Sequence, residues 1–352
     1  MQDNLRTVNV GLIGLGTVGG GVARTILSHH DRYLDAYNID LKIARACGLV
    51  WEQAEAAGIT PEQFTSDWHD VVSDESVDIV VELIGGEHPA TEIYEAAFAA
   101  GKHVVTANKA LLGRHVESFA RAAREHGVQL KCEASCGGGI PIVSTLERDL
   151  VGNEILTIAG ILNGTTNYIL SRMEAEGADY ADVLADAQAK GYAEADPSAD
   201  VDGFDAASKT AILASIGFSS RVTTDDVYQQ GIRTITAEDI SVAHGLGYTI
   251  KLLGIARNTA EGVDVRVHPT MIPLDHQLAK VSGAMNAVYV VGDAVGETMF
   301  YGAGAGSFPT ASAVVGDILT LSEQISRGVA PLPESEPFSR NKAIRPMDEL
   351  ET

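Results

Sequence analysis

The chain has 352 residues and a formal net charge of −23, from 48 acidic and 25 basic side chains. A chain of this length predicts two domains, and a hydrophobic content of 45% is typical of a globular core. The acidic balance argues against nucleic acid or an anionic membrane as a partner, because both bind basic surfaces.

The cysteine count and the hydropathy pattern bear on the compartment. Cys47, Cys132 and Cys136 are too few for a disulfide framework in a chain of this length, which favours a reducing compartment. No segment reaches the ~18–20 consecutive apolar residues of a membrane helix. We therefore expect a cytoplasmic protein.

Short apolar runs alternate with helical patterns over the first third of the chain. This alternation predicts a parallel sheet with helices on both faces. The expected strands are 8–13, 41–46, 77–84, 103–106 and 128–132, and the expected helices are 18–27, 52–57, 90–100 and 116–126.

The pattern changes after the glycine-rich stretch at 137–139, where strands become sparser and helices longer. We expect strands at 155–161, 262–267 and 287–291, with helices at 168–176, 180–190, 204–217 and 237–245. This pattern predicts an α+β domain over residues 136–306. A last helix, 310–326, is expected to pack back onto the first domain. Residues 331–352 are rich in proline and charge and predict a linker-like tail.

A G-x-G-x-x-G motif at residues 14–19 follows the first predicted strand and opens the first predicted helix. In that context Gly14 allows a tight turn, Gly16 lets the backbone approach a pyrophosphate, and Gly19 lets helix and strand pack closely. The helix N-terminus adds amide donors and a positive dipole. We therefore predict that residues 1–135 form a Rossmann-type domain that binds NAD or NADP.

The segment after the second predicted strand leaves the choice of dinucleotide open. An acidic residue there would bind the ribose hydroxyls of NAD, and an arginine would bind the 2′-phosphate of NADP. Residues 48–51 are uncharged, with Arg45 before them and Glu52 after them.

Residues 194–205 are densely acidic and lead into a helix that carries Asp205 and Lys209. A calcium loop is excluded, because its twelfth position would be Lys209 where a glutamate is needed. A solvated acidic turn is one alternative. Asp205 and Lys209 are four residues apart and share a helix face. On a surface such an ion pair contributes only about 0.3–0.5 kcal/mol.

Several short segments occur together in a characteristic order. They are 14–19, 82–86, 105–112, 133–135, 138–141, 163–168, 191–197, 200–209, 304–306 and 309–314. In this order they resemble the homoserine dehydrogenase family over nearly the whole chain. The segments at 107–109 and 191–209 are the most specific to that family.

The resemblance implies a reaction and its catalytic residues. It implies reversible reduction of L-aspartate 4-semialdehyde to L-homoserine with NAD(P)H, in threonine, methionine and isoleucine biosynthesis. Lys209 is then the expected general acid and Asp205 the residue that orients it. Lys109 is the second family lysine, and which lysine gives up the proton stays open.

The resemblance also implies binding residues. Glu194 and Asp200 are expected to contact the substrate ammonium and hydroxyl groups, with Thr165 and Tyr192 as further substrate contacts. A sodium ion is expected on Glu133 and the carbonyls of Cys136, Gly138 and Ile140. The expected cofactor-binding residues are Gly14, Gly16, Thr17, Val18, Gly19, Thr106, Asn108, Lys109, Gly304 and Gly306.

The family further implies a homodimer or homotetramer that associates through the second domain. Many members continue into a regulatory amino-acid-binding domain, and we expect this chain to be cut from such a protein. Two other functions stay open: another amino-acid dehydrogenase on the same scaffold, and a catalytically inactive dinucleotide sensor.

Overall fold

The computed structural model describes residues 6–328 and 338–349, which fold into two units. The first unit contains residues 6–111, His115–Gly139 and 305–328. The second contains Leu112–Arg114, Ile140–Gly304 and 338–349. Residues 136–139 and 305–306, assigned above to the second domain, thus belong to the first unit. Within the described ranges, no helix is long and apolar enough to span a membrane.

The first unit is built on a parallel sheet of six strands in the order β3-β2-β1-β4-β5-β6. The strands are β1 (Arg6–Ile13), β2 (Ile39–Cys47), β3 (Phe64–Thr65), β4 (Ile79–Glu82), β5 (His103–Thr106) and β6 (Leu130–Lys131). The helices among them are α1 (Thr17–Ser28), α2 (His30–Tyr37), α3 (Trp51–Ala56), α4 (Trp68–Val72), α5 (Ala90–Ala99) and α6 (Lys109–Glu125).

The order of these strands reverses at β1, which pairs with β2 on one side and β4 on the other. In open parallel sheets, ligands bind outside the carboxyl ends of the strands at such a switch point. The segments that follow β1, β4 and β5 therefore meet at one edge of the sheet. These segments contain Gly14, Leu83 and Asn108.

The second unit contains a mixed sheet in the order β12-β11-β7-β9-β10-β8, antiparallel except for the β8–β10 pair. The strands are β7 (Ile155–Ile161), β8 (Tyr228–Gln229), β9 (Tyr248–Asn258), β10 (Val263–Pro273), β11 (Met285–Gly292) and β12 (Gly296–Ala303). The helices are α7 (Gly164–Glu176), α8 (Tyr180–Ala189), α9 (Ser198–Val201), α10 (Phe204–Phe218) and α11 (Ala237–Gly245). The fold class, a Rossmann-type sheet plus a second domain of strands and helices, is confirmed.

Three strands of this sheet, β8, β9 and β12, are absent from the sequence prediction, for different reasons. β8 has two residues, too few to show a pattern. β9 is buried over residues 249–256, but Lys251 and Gly254 interrupt its apolar run. β12 is an edge strand whose alternate residues Glu297, Met299 and Tyr301 are exposed. An edge strand that is buried on no more than one face has fewer apolar residues than a central strand, so its sequence pattern is harder to recognise.

The last helix, α12 (Ser307–Arg327), packs against α1 in the first unit. Val314 and Ile318 join Val22 and Ile26 in one hydrophobic cluster. The hydroxyl of Ser307 donates to the Thr17 carbonyl at 2.6 Å. The N-terminus of α12 therefore lies beside the start of α1.

The linker-like tail predicted at 331–352 lies partly outside the described residues, at 331–337 and 350–352. Residues 338–349 extend along the second unit: Ser339 and Ile344 form bridges with Ser220 and Val263. The Val263 amide donates to the Ala343 carbonyl at 2.8 Å. This part of the tail is therefore docked on the second unit.

A chain ended at residue 337 is expected to melt several degrees below one ended at residue 349. Only the shorter chain loses the backbone hydrogen bonds that join 338–349 to the second unit, and a net loss of about 1 kcal/mol per hydrogen bond is typical. Thermal unfolding followed by circular dichroism measures the difference. Equal melting temperatures for the two chains would contradict the docking.

Candidate active site

The glycine loop at the carboxyl end of β1 has the geometry that the motif predicts. Gly14 has a φ of +99°, and a Cβ there would lie 2.8 Å from the carbonyl group of Leu83. A Cβ on Gly19 would lie 1.8 Å from the Gly14 oxygen. Around Gly16, by contrast, no atom lies within 4 Å of the Cβ position. Two glycines thus allow close packing, and the third leaves open space above the loop.

The N-terminus of α1 is suited to an anion. Its cap residue is Gly16, so no cap side chain accepts a hydrogen bond from the first helix amides. The first turn also contains no acidic residue. Thr17 and Val18, both predicted to bind the cofactor, are the first two residues of the helix. Their amides and the helix dipole match a pyrophosphate, so the residues present fit a dinucleotide.

Thr106, Asn108 and Lys109 lie where β5 turns into α6. The Asn108 amide donates to Thr106 Oγ1 at 2.9 Å, and Asn108 Oδ1 caps the helix by accepting from the Leu111 amide at 3.2 Å. Lys109 is exposed and is the first residue of α6. The helix predicted at 116–126 therefore begins seven residues earlier, because Asn108 caps it and extends it to Lys109.

The end of β2 is apolar and lies in a negative field. Leu49 is 94% exposed. Arg45 is held at 2.9 Å by Asp74, whose pKa is lowered to about 2 by hydrogen bonds from the Ser76 hydroxyl and the Arg45 guanidinium. Burial, together with the charges of nearby carboxylates, raises the pKa of Cys47 to about 11. Those carboxylates belong to Asp67 and Asp70.

In the second unit, Lys209 and Asp205 form a buried ion pair on α10. Lys209 is 6% and Asp205 7% exposed, and Lys209 Nζ lies 2.7 Å from Asp205 Oδ2. Lys209 Nζ also donates to the Leu162 carbonyl at 2.8 Å. The spacing that predicted a shared helix face therefore places a charged pair in the interior, where losing one partner costs roughly 3–5 kcal/mol.

Asn163 joins this pair to a second carboxylate, that of Asp200, a role that the sequence analysis missed. Its Nδ2 donates to Asp205 Oδ2 at 3.0 Å and to Asp200 Oδ1 at 2.7 Å. Its Oδ1 caps α7 by accepting from the Thr166 amide at 2.9 Å. The position of an asparagine directly before a helix was the available signal.

Thr165 and Tyr192 are also brought together. Thr165 Oγ1 donates to the Tyr192 carbonyl at 2.8 Å, and the Tyr192 ring packs on Tyr168 with centroids 4.7 Å apart. Glu194 is exposed, and its carbonyl accepts from Gln188 Nε2 at 3.0 Å. The loop before α9 thus presents Glu194 to solvent beside the N-terminus of α7.

The two predicted glycines of the 304–306 loop fall in different units. Gly304 belongs to the second unit, where a Cβ would lie 2.1 Å from the Asn286 side chain. Gly306 belongs to the first unit and caps α12 with a φ of +116°. Gly304 is therefore required for packing on β11, and Gly306 for the start of α12.

The predicted cation ligands are likewise divided. Glu133 is buried in a single 3₁₀ turn, and its amide donates to Asp317 Oδ2 at 2.8 Å. Cys136 and Gly138 follow in the first unit, whereas Ile140 begins the second. Among the described residues, no group of three His, Cys, Asp or Glu side chains could hold a metal ion. That finding leaves the prediction untested, since its ligands are one carboxylate and three carbonyls.

A glycine loop at the switch point of a parallel sheet, in one chain with a buried lysine–aspartate pair, defines an NAD(P)-dependent oxidoreductase. Two family models agree: the homoserine dehydrogenase model matches residues 141–319, and its NAD-binding-domain model matches residues 14–133. The chain belongs to the homoserine dehydrogenase family.

Individual relatives support this assignment. The chain is 50% identical to homoserine dehydrogenase of Synechocystis sp., over 90% of this chain and 73% of that protein. It is 45% identical to the Bacillus subtilis enzyme, over 92% and 75%. The crystal structure of homoserine dehydrogenase from Thiobacillus denitrificans superposes with a TM-score of 0.88 at 47% identity, covering 92% and 74%. A hyperthermophilic archaeal homoserine dehydrogenase mutant in complex with NADPH matches with a TM-score of 0.76 at 26% identity, covering 90% and 97%.

Alanine at Gly16 and at Gly19 should have different effects. Gly16→Ala adds a methyl group in open space, so we expect a near-normal melting temperature but about a tenfold weaker affinity for NAD(P)H. Gly19→Ala places its methyl group against the Gly14 carbonyl, so it should lower both the melting temperature and the affinity for NAD(P)H. Nucleotide fluorescence titration and thermal unfolding separate the two. A Gly16→Ala variant with wild-type affinity would contradict the assigned phosphate approach.

Proposed function

We propose that this chain interconverts L-aspartate 4-semialdehyde and L-homoserine with NAD(P)H, at a site built around Lys209. The observation that carries the proposal is the buried Lys209–Asp205 pair, 2.7 Å apart, in a member of this family with an intact dinucleotide loop. A purely structural helix pair at this spacing is ordinarily exposed and weak. Burial of both charges is typical of a functional site.

Lys209 moves the proton in this mechanism. When bound, the dinucleotide supplies a hydride to the carbonyl carbon of the semialdehyde or accepts one from homoserine. As the carbonyl oxygen gains negative charge, Lys209 Nζ donates a proton to it, and in oxidation Nζ removes the hydroxyl proton. Asp205 orients the ammonium and stabilises its charge in the interior.

The surrounding carboxylates and amides orient the amino acid. Asp200 and Glu194 supply negative charge for the substrate ammonium, and Asn163 holds Asp200 at 2.7 Å. The N-terminus of α7, at Thr165, offers amides to the substrate carboxylate. Lys109, exposed at the start of α6, stabilises the developing oxyanion electrostatically.

Lys209→Arg tests the proton transfer. Arginine keeps the positive charge beside Asp205 but cannot lose a proton at neutral pH. We expect kcat for homoserine oxidation to fall by about 10²–10⁴-fold, with the Kd for the dinucleotide unchanged. Stopped-flow absorbance at 340 nm and fluorescence titration measure the two. Wild-type turnover in Lys209→Arg would show that another group moves the proton.

The two alternative functions have distinct outcomes in the same assay. A dehydrogenase for another amino acid would reduce NAD(P)⁺ with that amino acid and not with homoserine. A dinucleotide sensor would bind NAD(P)H but would oxidise neither homoserine nor another amino acid. Lys190→Arg is a matched control, because this lysine forms an exposed pair with Asp186 at the same i, i+4 spacing.

We propose that the enzyme prefers NADH to NADPH. Arg45, near the end of β2, is neutralised by Asp74, whose carboxylate lies 2.9 Å away. Asp67 and Asp70 place negative charge there: their carboxylates add to the effect of burial, the main cause of the raised pKa of Cys47. A 2′-phosphate would meet this field and the exposed Leu49, whereas a ribose hydroxyl carries no charge.

Leu49→Arg should weaken this preference. In the wild type we expect kcat/KM to be about tenfold or more higher with NADH, and Leu49→Arg to shift the ratio about tenfold toward NADPH. Leu49→Gln adds a polar side chain without charge and should leave the ratio near wild type. Initial rates with both dinucleotides decide, and a wild type that prefers NADPH would contradict the proposal.

We further propose that a monovalent cation such as sodium binds the Glu133 carboxylate and the carbonyls of Cys136, Gly138 and Ile140. Carboxylate and carbonyl oxygens are the ligands that hard cations prefer. Glu133 is buried and lies in a tight turn. One carboxylate and three carbonyls would give such an ion oxygen ligands of the kind it prefers.

We also propose a homodimer or homotetramer that associates through the second unit, in the cytoplasm. α10 covers one face of the second sheet. The exposed Met299 and Tyr301 lie on β12, at the sheet edge. An exposed apolar edge strand is an association surface. Three cysteines are too few for a disulfide framework in a chain of this length, in keeping with a reducing compartment.

A further inference from the structure

Glu82, the last residue of β4, is a fully buried carboxylate at the carboxyl edge of the first sheet. It is 0% exposed, although the rest of its strand is apolar. Burying a carboxylate is costly unless its oxygens accept hydrogen bonds. The groups that satisfy Glu82 therefore show what the residue holds in place.

One oxygen of Glu82 fixes the loop that follows β4. Oε1 accepts from the amides of Ile84 at 2.7 Å and Gly85 at 2.9 Å. Gly85 and Gly86 both have a φ of +78°, so the loop adopts a conformation that other residues rarely reach. The backbone at Leu83–Ile84 lies directly against the Cβ position of Gly14. Glu82 thus shapes the wall of the glycine loop.

The other oxygen fixes the turn that leads to Lys109. Oε2 accepts from Thr106 Oγ1 at 2.9 Å, from Tyr94 at 2.8 Å and from Asn108 Nδ2 at 3.4 Å. Asn108 Nδ2 also donates to the Gly86 carbonyl at 2.7 Å, which closes the network between the two segments. Burial and the charge of Glu82 raise the pKa of Tyr94 well above its usual value, so its hydroxyl keeps its proton.

We propose that Glu82 is a positioning residue for the dinucleotide: its carboxylate holds the 83–86 loop against the glycine loop and holds the 106–109 turn in register with it. This inference rests on the proposed dinucleotide-dependent function and adds a residue to it. Glu82 itself does not touch the reacting atoms. Its effect is on how well two backbone segments are organised before the dinucleotide binds.

Glu82→Gln keeps the size of the side chain but replaces one acceptor oxygen with a donor. If the amide nitrogen faces Ile84 and Gly85, two backbone donors lose their acceptor. If it faces the other way, it opposes Asn108 Nδ2. Either arrangement loosens one segment. We expect about a tenfold rise in the Kd for NADH, the usual effect of losing one hydrogen bond to a charged group.

Two further variants separate positioning from stability. Tyr94→Phe removes one donor to Glu82 and the contact of that hydroxyl with Thr106 Oγ1 at 2.7 Å, but no hydrogen bond to the backbone of either segment. It should therefore lower the melting temperature but leave the Kd for NADH near wild type. Gly85→Ala has open space around its Cβ and strains only the loop backbone, so it should raise the Kd as Glu82→Gln does. Neither Glu82→Gln nor Gly85→Ala should change KM for homoserine by more than about twofold.

The experiment measures the Kd for NADH by fluorescence without substrate, together with melting temperature and KM for homoserine. A Glu82→Gln variant with wild-type Kd would overturn the proposal. So would a Tyr94→Phe variant whose Kd rises as much as that of Glu82→Gln, since the carboxylate would then act through general stability. A wild type that binds NADH without oxidising homoserine would defeat the proposed function and leave the role of Glu82 intact.

Discussion

The dinucleotide site depends on the reversal of strand order beside β1. Because β2 and β4 run parallel to β1 on opposite sides, their connecting helices leave in opposite directions and the carboxyl edge opens into a crevice. The chain segments at that edge cannot complete their hydrogen bonds within the sheet. Gly14 lets the following backbone approach closely. Glu82 accepts hydrogen bonds from backbone amides, and Asn108 caps a helix.

Burial gives the Lys209–Asp205 pair a different meaning from the same spacing on a surface. Exposed i, i+4 pairs such as Lys190 with Asp186 gain little, because water solvates both charges. In the interior, each charge needs the other together with hydrogen bonds such as the one from Lys209 to Leu162. The chain maintains a costly arrangement there, in keeping with the proton transfer proposed for Lys209.

Sequence patterns predicted the parts of the fold that local chemistry determines. The alternating apolar runs of the first unit and the glycine spacing at 14–19 follow from strand and turn geometry, which is local. β12 and β9 were missed because their strand character comes from neighbours in the sheet. Lys209 and Asp205 could be paired from their spacing, but only the packing of α10 determines that the pair is buried.

Glu82 and Asn163 were missed as functional residues because their roles are long-range. A glutamate at the end of an apolar run looks like the end of a strand, and an asparagine before a helix looks like an ordinary cap. The groups that give them importance lie elsewhere in the chain: Thr106 and Asn108 for Glu82, and Asp200 and Asp205 for Asn163. Burial distinguishes such residues from their common counterparts.

The acidic balance of the chain explains why backbone amides carry so much of the proposed dinucleotide recognition. With a net charge of −23, the protein repels a phosphate ligand at long range. The start of α1 offsets this repulsion locally with amides and a helix dipole, which need no cationic side chain. At the end of β2 no such device operates: Arg45 is neutralised and Leu49 is exposed. A pyrophosphate can therefore be held where the backbone is organised, whereas the proposed preference for NADH rests on the charges around the end of β2.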